Sequence, residues 1–310
     1  MCEICGDAAA ARRIEGVYDH FSGDRFALLQ CRRCGYATTD PVPASLDRYY
    51  PERYRRFNRF AARILRTLYL ARVDGWLRRL PASGVALEIG SGTGWMLGAL
   101  RARGWRAIGS ERELGAAQIA HAASGAPMFV GDLGAVRPTA GLDLVVMFHV
   151  LEHLARPEAA LRSAAERLRP GGTIVLGLPN IASWQSRCAG RRWMHLDVPR
   201  HLCHFTPDAI ERALATAGFR LDRITFTSFE HDPLGWVQAA LEKLGFEDGI
   251  VLKVLFGVRG RRTSAIGTLA AIVLAIPLGG IGLVLAIASW QVGSGALMEV
   301  WATRDRAADL

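Results

Sequence analysis

From Pro81 onward, apolar runs of strand length alternate with segments of helical period. "VALEIG" (85–90), "RAIGS" (106–110), "PMFVGD" (127–132), "LDLVVMFHV" (142–150) and "TIVLGLP" (173–179) read as buried strands. Between them, "WMLGALRARG", "ELGAAQIAHAAS" and "PEAALRSAAERLR" carry helical spacing. That succession predicts an α/β fold, a doubly wound, Rossmann-like parallel sheet. "LDRITFTSF" from Leu221 and "ALMEVWATR" near the end add a sixth strand and an antiparallel seventh.

Outside this frame the pattern changes three times. Residues 1–44 hold two short strand-like runs, "RRIEGVYD" and "FALLQC", suited to a hairpin. Residues 45–80 are rich in arginine, with Phe57, Phe60, Ile64, Leu68 and Ala71 at helical spacing, which predicts a basic amphipathic linker or lid helix. The third is the stretch between Arg262 and Glu299, which contains no charged residue. It is long enough to cross a bilayer once, but Pro277, Gly279 and Gly280 punctuate its middle and predict two apolar arms. A single crossing between two strands of one sheet would strand the last one across the bilayer. The expectation is therefore a helical hairpin over 263–292, dipping into a membrane surface or packing as a homodimer interface. The expected domains are 1–44, 45–80 and 81–310 with that insertion.

Composition narrows the function. The chain has 310 residues, half of them hydrophobic, and a net charge of +9. Much of the excess charge sits in the 45–80 segment, with no stacking sheet of aromatics, so nucleic-acid binding is a weak reading. The N-terminus lacks a basic region followed by an apolar one, so a cytoplasmic-facing protein is expected, with cysteines that bind metal.

Four of the six cysteines form two CxxC pairs, Cys2/Cys5 and Cys31/Cys34, each followed by glycine. Thiolates in this pattern suit one tetrahedral zinc with no open coordination position, hence a structural zinc ribbon. Cys188 and Cys203 read as ordinary cysteines.

The first strand runs into Glu88, Gly90, Ser91, Gly92, Thr93 and Gly94. The third glycine comes one residue too early for a dinucleotide loop. "EIGSGTG" resembles motif I of class I S-adenosylmethionine-dependent methyltransferases. "FHVLEHLARP", "MHLDVPRHLCHFTP" and "ATAGFRLDRIT" resemble a bacterial group of that family related to ubiquinone-pathway and sugar methyltransferases, in which a CxxC ribbon also precedes the domain. The resemblance implies a seven-stranded sheet and S-adenosylmethionine held by the 88–94 loop. It places Glu111 at the ribose, with Glu113 as competitor, and Asp132, Leu133 and Phe148 along the cofactor. It also implies acid–base work by His153 with Glu152 as orienter, His149 beside them, and His201 at the acceptor. A structural role for Glu152 and for the Asp197–Arg200 pair is the competing reading, as is a phosphate contact for Arg200. Thr206 before Pro207 reads as a helix cap. The expected function is methyl transfer to a lipid-linked or membrane-proximal acceptor (a glycolipid, polyprenyl-linked saccharide or isoprenoid). The alternative is a soluble nucleotide-sugar acceptor.

Overall fold

The computed structural model describes residues 1–50, 59–131, 141–256 and 264–305. In chain order, β1 (Arg12–Tyr18), β2 (Arg25–Gln30) and β3 (Ala37–Asp40) precede α1 (Arg59–Leu77). Then come β4 (Val85–Ile89), α2 (Trp95–Ala102), β5 (Arg106–Glu111), α3 (Leu114–Ser124) and β6 (Met128–Val130). They are followed by β7 (Leu142–Phe148), α4 (Pro157–Arg167), β8 (Leu168–Pro179) and α5 (Trp184–Ala189). The chain ends with β9 (Cys203–His204), α6 (Pro207–Thr216), β10 (Phe219–Thr225), α7 (Asp232–Lys243), α8 (Ile250–Phe256), α9 (Ala265–Gln291) and β11 (Leu297–Arg304).

These elements form two compact units that are not contiguous in sequence. The first comprises Met1–Ala62, Pro179–Ala209 and Thr225–Met298; the second comprises Arg63–Leu178, Ile210–Ile224 and Glu299–Leu310.

The second unit carries a seven-stranded sheet of order β10-β11-β8-β7-β4-β5-β6. The β4–β5, β4–β7, β5–β6 and β7–β8 pairs are parallel, as strand–helix–strand connections require. The order reverses at β4, so the carboxyl ends of β4 and β7 flank the crevice where ligands bind in such sheets. Apolar runs bury fully: Leu87, Leu144 and Val146 are inaccessible, and Leu144 and Val146 pack with Met96, Leu97 and Leu100 of α2. Helix α1 joins this core through Val73 and Trp76, with Tyr69 and Leu77 partly buried against it. Trp76 meets Trp301 edge-on at 6.0 Å. The anticipated stripe on α1 is not the face that packs: Ile64 and Ala71 are exposed, while Tyr69–Val73–Trp76 turn inward. Phe57 and the side chain of Phe60 lie outside the described residues.

In the first unit, the ribbon hairpin is present where expected, with β1 antiparallel to β2 and β2 to β3. Cys203 and His204 add a fourth strand beside Ala37 and Thr38. Val17, Phe26 and Leu28 form a core with Trp193, Leu196 and Val198.

The region between β10 and β11 departs from expectation. It holds α7 and α8 as well as the apolar stretch, and α9 runs unbroken through Pro277 for 27 residues, about 40 Å at 1.5 Å per residue. The hairpin of two arms split at Pro277 is thus corrected to one helix antiparallel to α7. Ala271 packs with Val237 and Leu241, and Gly282 lies at Pro233. Proline removes only one helical hydrogen bond, and α7 holds the helix on both sides of it. A side chain at 282 would meet the Pro233 carbonyl at 2.7 Å, so glycine there sets the close approach. The far end is fastened by Asp232, which accepts from Trp290 Nε1 at 2.7 Å and from the Ala296 amide at 3.0 Å. Burial nevertheless pushes the Asp232 carboxyl up to about 7.

Candidate active site

The loop after β4 is shaped by what presses on it. Gly90, Gly92 and Gly94 all have positive φ. A side chain at Gly90 would come within 2.6 Å of Val150 Cγ2, and one at Gly94 within 2.6 Å of the Ala120 carbonyl. At Gly92 no described residue comes within 4 Å of where a side chain's first carbon would sit, unlike at the other two glycines. The loop is tied down by the Gly90 and Ser91 amides donating to the Ser110 carbonyl, by Ser91 Oγ donating to the Glu88 carbonyl, and by the Gly94 amide donating to the Ser91 carbonyl. Thr93 is half-buried between them.

Two carboxylates border this loop. Glu111, at the end of β5, accepts from the Gly92 amide at 2.5 Å. The Glu113 side chain makes no helix-capping hydrogen bond and pairs with Arg112 on the surface at 3.3 Å. Glu88 is 3 % exposed, and its Oε2 has no hydrogen-bond partner among the described residues. Burial, reinforced by the Glu111 charge, pushes its carboxyl up to about 8. A buried carboxyl with an unsatisfied oxygen beside an open glycine loop suits a cationic ligand group. S-Adenosylmethionine, with its ammonium and sulfonium charges, fits that donor set. Asp132 and Leu133 lie outside the described residues.

Phe148 closes β7 on an aromatic layer. Its ring lies edge-on to Tyr69 at 5.9 Å and to His149 at 5.0 Å, and the Arg72 guanidinium sits 5.0 Å over it. Arg72 is held by Glu299 at 2.7 Å. Sequence reasoning missed Tyr69 and Arg72; their one signal was helical spacing with Val73 and Trp76.

His149 follows in a left-handed conformation (φ 57°), and its amide donates to the Gly177 carbonyl at 2.8 Å. Its Nδ1 lies 3.3 Å from Glu152 Oε1, and Glu152 is almost fully buried in the short 3-10 turn Leu151–His153. The partner in this contact is therefore His149. His153 is half-buried, with a ring nitrogen within 4.8 Å of a Glu152 oxygen.

In the first unit, Arg200 is fully buried. It donates to Asp197 at 3.0 and 2.7 Å, to Asp19 at 2.6 Å and to the Tyr49 carbonyl. The loop-fixing reading of Asp197 and Arg200 holds, and the phosphate contact is corrected: burial and these partners occupy the guanidinium. His201 Nδ1 pairs with the His195 carbonyl at 2.9 Å, and His204 Nε2 with Thr39 Oγ1 at 3.0 Å. Thr206 Oγ1 accepts from the Ala209 amide, capping α6, and donates to the Cys34 carbonyl at 2.6 Å.

The four cysteine sulfurs of the ribbon lie within 4.8 Å of one another, with Cys2–Cys34 at 3.7 Å and Cys5–Cys31 at 3.6 Å. Zinc–sulfur bonds of about 2.3 Å in a tetrahedron require sulfur–sulfur edges of about 3.8 Å. The cluster fits zinc. Burial raises the Cys31 thiol, but the amides of Cys34 and Arg33, with neighbouring thiols, outweigh it and hold it at about 7. Cys203 is buried beside Tyr36 Oη at 3.0 Å, and Cys188 is exposed.

Comparison with known proteins decides the family. The methyltransferase domain family matches residues 53–224, more than half of the chain. The chain belongs to the methyltransferase domain family. It is 30% identical over 160 residues to the ubiquinone biosynthesis O-methyltransferase of Rhizobium rhizogenes (strain K84 / ATCC BAA-868). The match covers 48% of the chain and 64% of that relative, so it spans less than two thirds of the relative's length. Among solved structures, a SAM-dependent methyltransferase from Archaeoglobus fulgidus aligns at TM-score 0.49 and 19% identity, covering 77% of this chain and 94% of the other. A possible histamine N-methyltransferase from Thermotoga maritima aligns at TM-score 0.46 and 16% identity, covering 76% and 89%.

Proposed function

We propose that this methyltransferase acts at a membrane surface on a lipid-linked or membrane-proximal acceptor, a glycolipid, polyprenyl-linked saccharide or isoprenoid intermediate. The observation that carries the reading is the outer face of α9. Only 17% of its most apolar 18 residues are buried. Ile266, Leu269, Ile276 and Val284 are 81, 62, 76 and 66% exposed. A soluble core helix would hide such residues, and a continuous apolar face of this length suits the upper layer of a bilayer. Because α7 runs antiparallel along the other side, α9 would lie in the surface plane, on the cytoplasmic leaflet, without crossing. The relative named for ubiquinone biosynthesis favours the isoprenoid class among these acceptors. A homodimer covering the same face is the competing reading.

For catalysis, Glu88, Gly90, Ser91, Gly92, Thr93, Gly94, Glu111, Asp132, Leu133 and Phe148 hold S-adenosylmethionine, which supplies an electrophilic methyl group on its sulfonium. Glu88 faces the ammonium end and Glu111 the ribose. His153 takes the proton of the acceptor. Glu152 braces His149 at 3.3 Å and fixes the turn that presents His153. His201 contacts the acceptor. Cys2, Cys5, Cys31 and Cys34 bind a structural zinc that holds the ribbon together.

The test incubates purified full-length protein and methyl-labelled S-adenosylmethionine with source-cell extract, then partitions the products between organic solvent and water. Label in the organic phase is expected. Label confined to water would replace the lipid acceptor with a soluble one.

A further inference from the structure

The ribbon-bearing unit contains a cleft of about 1010 Å³ that none of the residues above explains. It is lined by the β1–β2 turn, by Arg191 and Arg192 after α5, and by the α7–α8 connection, and it opens beside Ser264 and Gly267 at the start of α9. Its carboxylates are already engaged. Glu247 holds Lys253 at 2.7 Å, Asp248 lies 3.6 Å from Arg192, Asp19 holds Arg200, and Glu242 accepts from the Gly249 amide at 3.0 Å.

Two cations are left over. Arg25 and Arg191 line the cleft, and their guanidinium groups have no carboxylate or hydrogen-bond partner among the described residues. Gly16, at a bulge in β1, makes room for one of them: a side chain there would sit 3.3 Å from Arg191 Nη1. A third polar group also waits. His20 is 5% exposed, and its Nδ1 has no hydrogen-bond partner among the described residues. The N-terminus of α9 adds its partial positive charge from the same side. Immediately beyond, the exposed Ile266 and Leu269 begin the apolar face.

We propose that this cleft binds the phosphate-bearing head of an anionic amphiphile, whose aliphatic chain runs out along α9. Arg25 and Arg191 take the phosphate, since guanidinium groups match phosphate oxygens two at a time. His20 contacts the rest of the head. The volume exceeds what one phosphate needs and lies at the upper end of the range for small-molecule pockets, about 300–1,000 Å³, so a diphosphate or glycosyl-phosphate head fits. By helix rise, the site lies roughly 35 Å along α9 from Trp290. It is therefore a docking site that seats the start of α9. The inference rests on the proposed membrane placement only for the source of the ligand.

The experiment uses full-length protein and two probes: vesicles of phosphatidylcholine with or without one-fifth phosphatidic acid, and inorganic pyrophosphate. The double variant Arg25→Ala/Arg191→Ala is compared with Arg101→Ala/Arg162→Ala, which removes the same charge from helices of the other unit. Expected is a gain in vesicle affinity from phosphatidic acid that pyrophosphate competes away. That gain should fall about tenfold in the cleft variant and persist in the control. An equal loss in both variants, or none, overturns the pocket. Pyrophosphate binding with no gain from phosphatidic acid overturns the amphiphile in favour of a soluble phosphate compound. His20→Gln gives a second reading, with an expected intermediate loss. Transfer of label into the organic phase is measured on the same samples. Intact transfer without phosphatidic acid dependence sinks the pocket alone; normal vesicle binding without organic label sinks the acceptor alone.

Discussion

Replacing Glu88 by glutamine tests how the cofactor loop works. With its carboxyl pushed up to about 8 by burial and by Glu111, Glu88 is mostly protonated at pH 7 before any ligand arrives. Ionising it there costs about one pH unit, on the order of 1 kcal/mol. A cationic ammonium at Oε2 would recover this, because a charged hydrogen bond contributes up to about 3 kcal/mol. The net gain of roughly 1–2 kcal/mol corresponds to about tenfold tighter S-adenosylmethionine binding than in Glu88→Gln at pH 7. At pH 9 the ionisation cost is gone and the gap should widen to about a hundredfold. The ratio of wild type to variant cancels titration of the ligand itself. Titration calorimetry in two buffers of different ionisation enthalpy should also show release of about 0.9 proton per ligand at pH 7 from wild type, beyond that from Glu88→Gln. Equal proton release, or a ratio flat with pH, would refute the pairing of Glu88 with the cation.

Three further expectations concern other parts of the molecule. Asp232 titrates at about 7 when folded against about 3.8 ordinarily, so its contribution to stability is full below pH 4 and lost as pH rises towards 7; thermal melts should show Asp232→Asn gaining about 2 kcal/mol on wild type between pH 5 and pH 7. His153→Asn should lower kcat by about 10²–10⁴ while leaving the Kd for S-adenosylmethionine unchanged, and a loss confined to that Kd would remove His153 from proton transfer. Cys5→Ser should abolish stoichiometric zinc by metal analysis and lower the melting temperature, whereas unaltered zinc content would overturn the four-thiolate site.

Local signals made much of this legible in the chain. The strand-and-helix periods from Val85 to Pro179 describe the parallel half of the sheet because its central runs, such as Ala86–Ile89 and Val175–Pro179, are buried on both faces. The loop glycines and the CxxC pairs announce themselves because backbone and metal geometry leave little choice of residue. What stayed hidden depends on distant partners. Nothing near Arg200 in sequence points to Asp19, 181 residues away, so only Asp197 was visible as a partner. The fourth ribbon strand is two residues long and has no period to read. Pro277 signals a break, yet α7 packs along both sides of it and the helix continues. The pairing of Glu152 with His149 depends on the left-handed turn of His149, which a histidine in sequence does not advertise.

Whether the exposed face of α9 serves methyl transfer is decided by one comparison. Wild type and Leu269→Gln/Ile276→Gln/Val284→Gln, whose changed side chains all point away from α7, would be given labelled S-adenosylmethionine and the membrane fraction of the source cells. Organic-soluble label from wild type, lost in the variant while its S-adenosylmethionine affinity is unchanged, is the expected result. Equal organic label from both proteins, or label only in water, would contradict a membrane acceptor reached through α9.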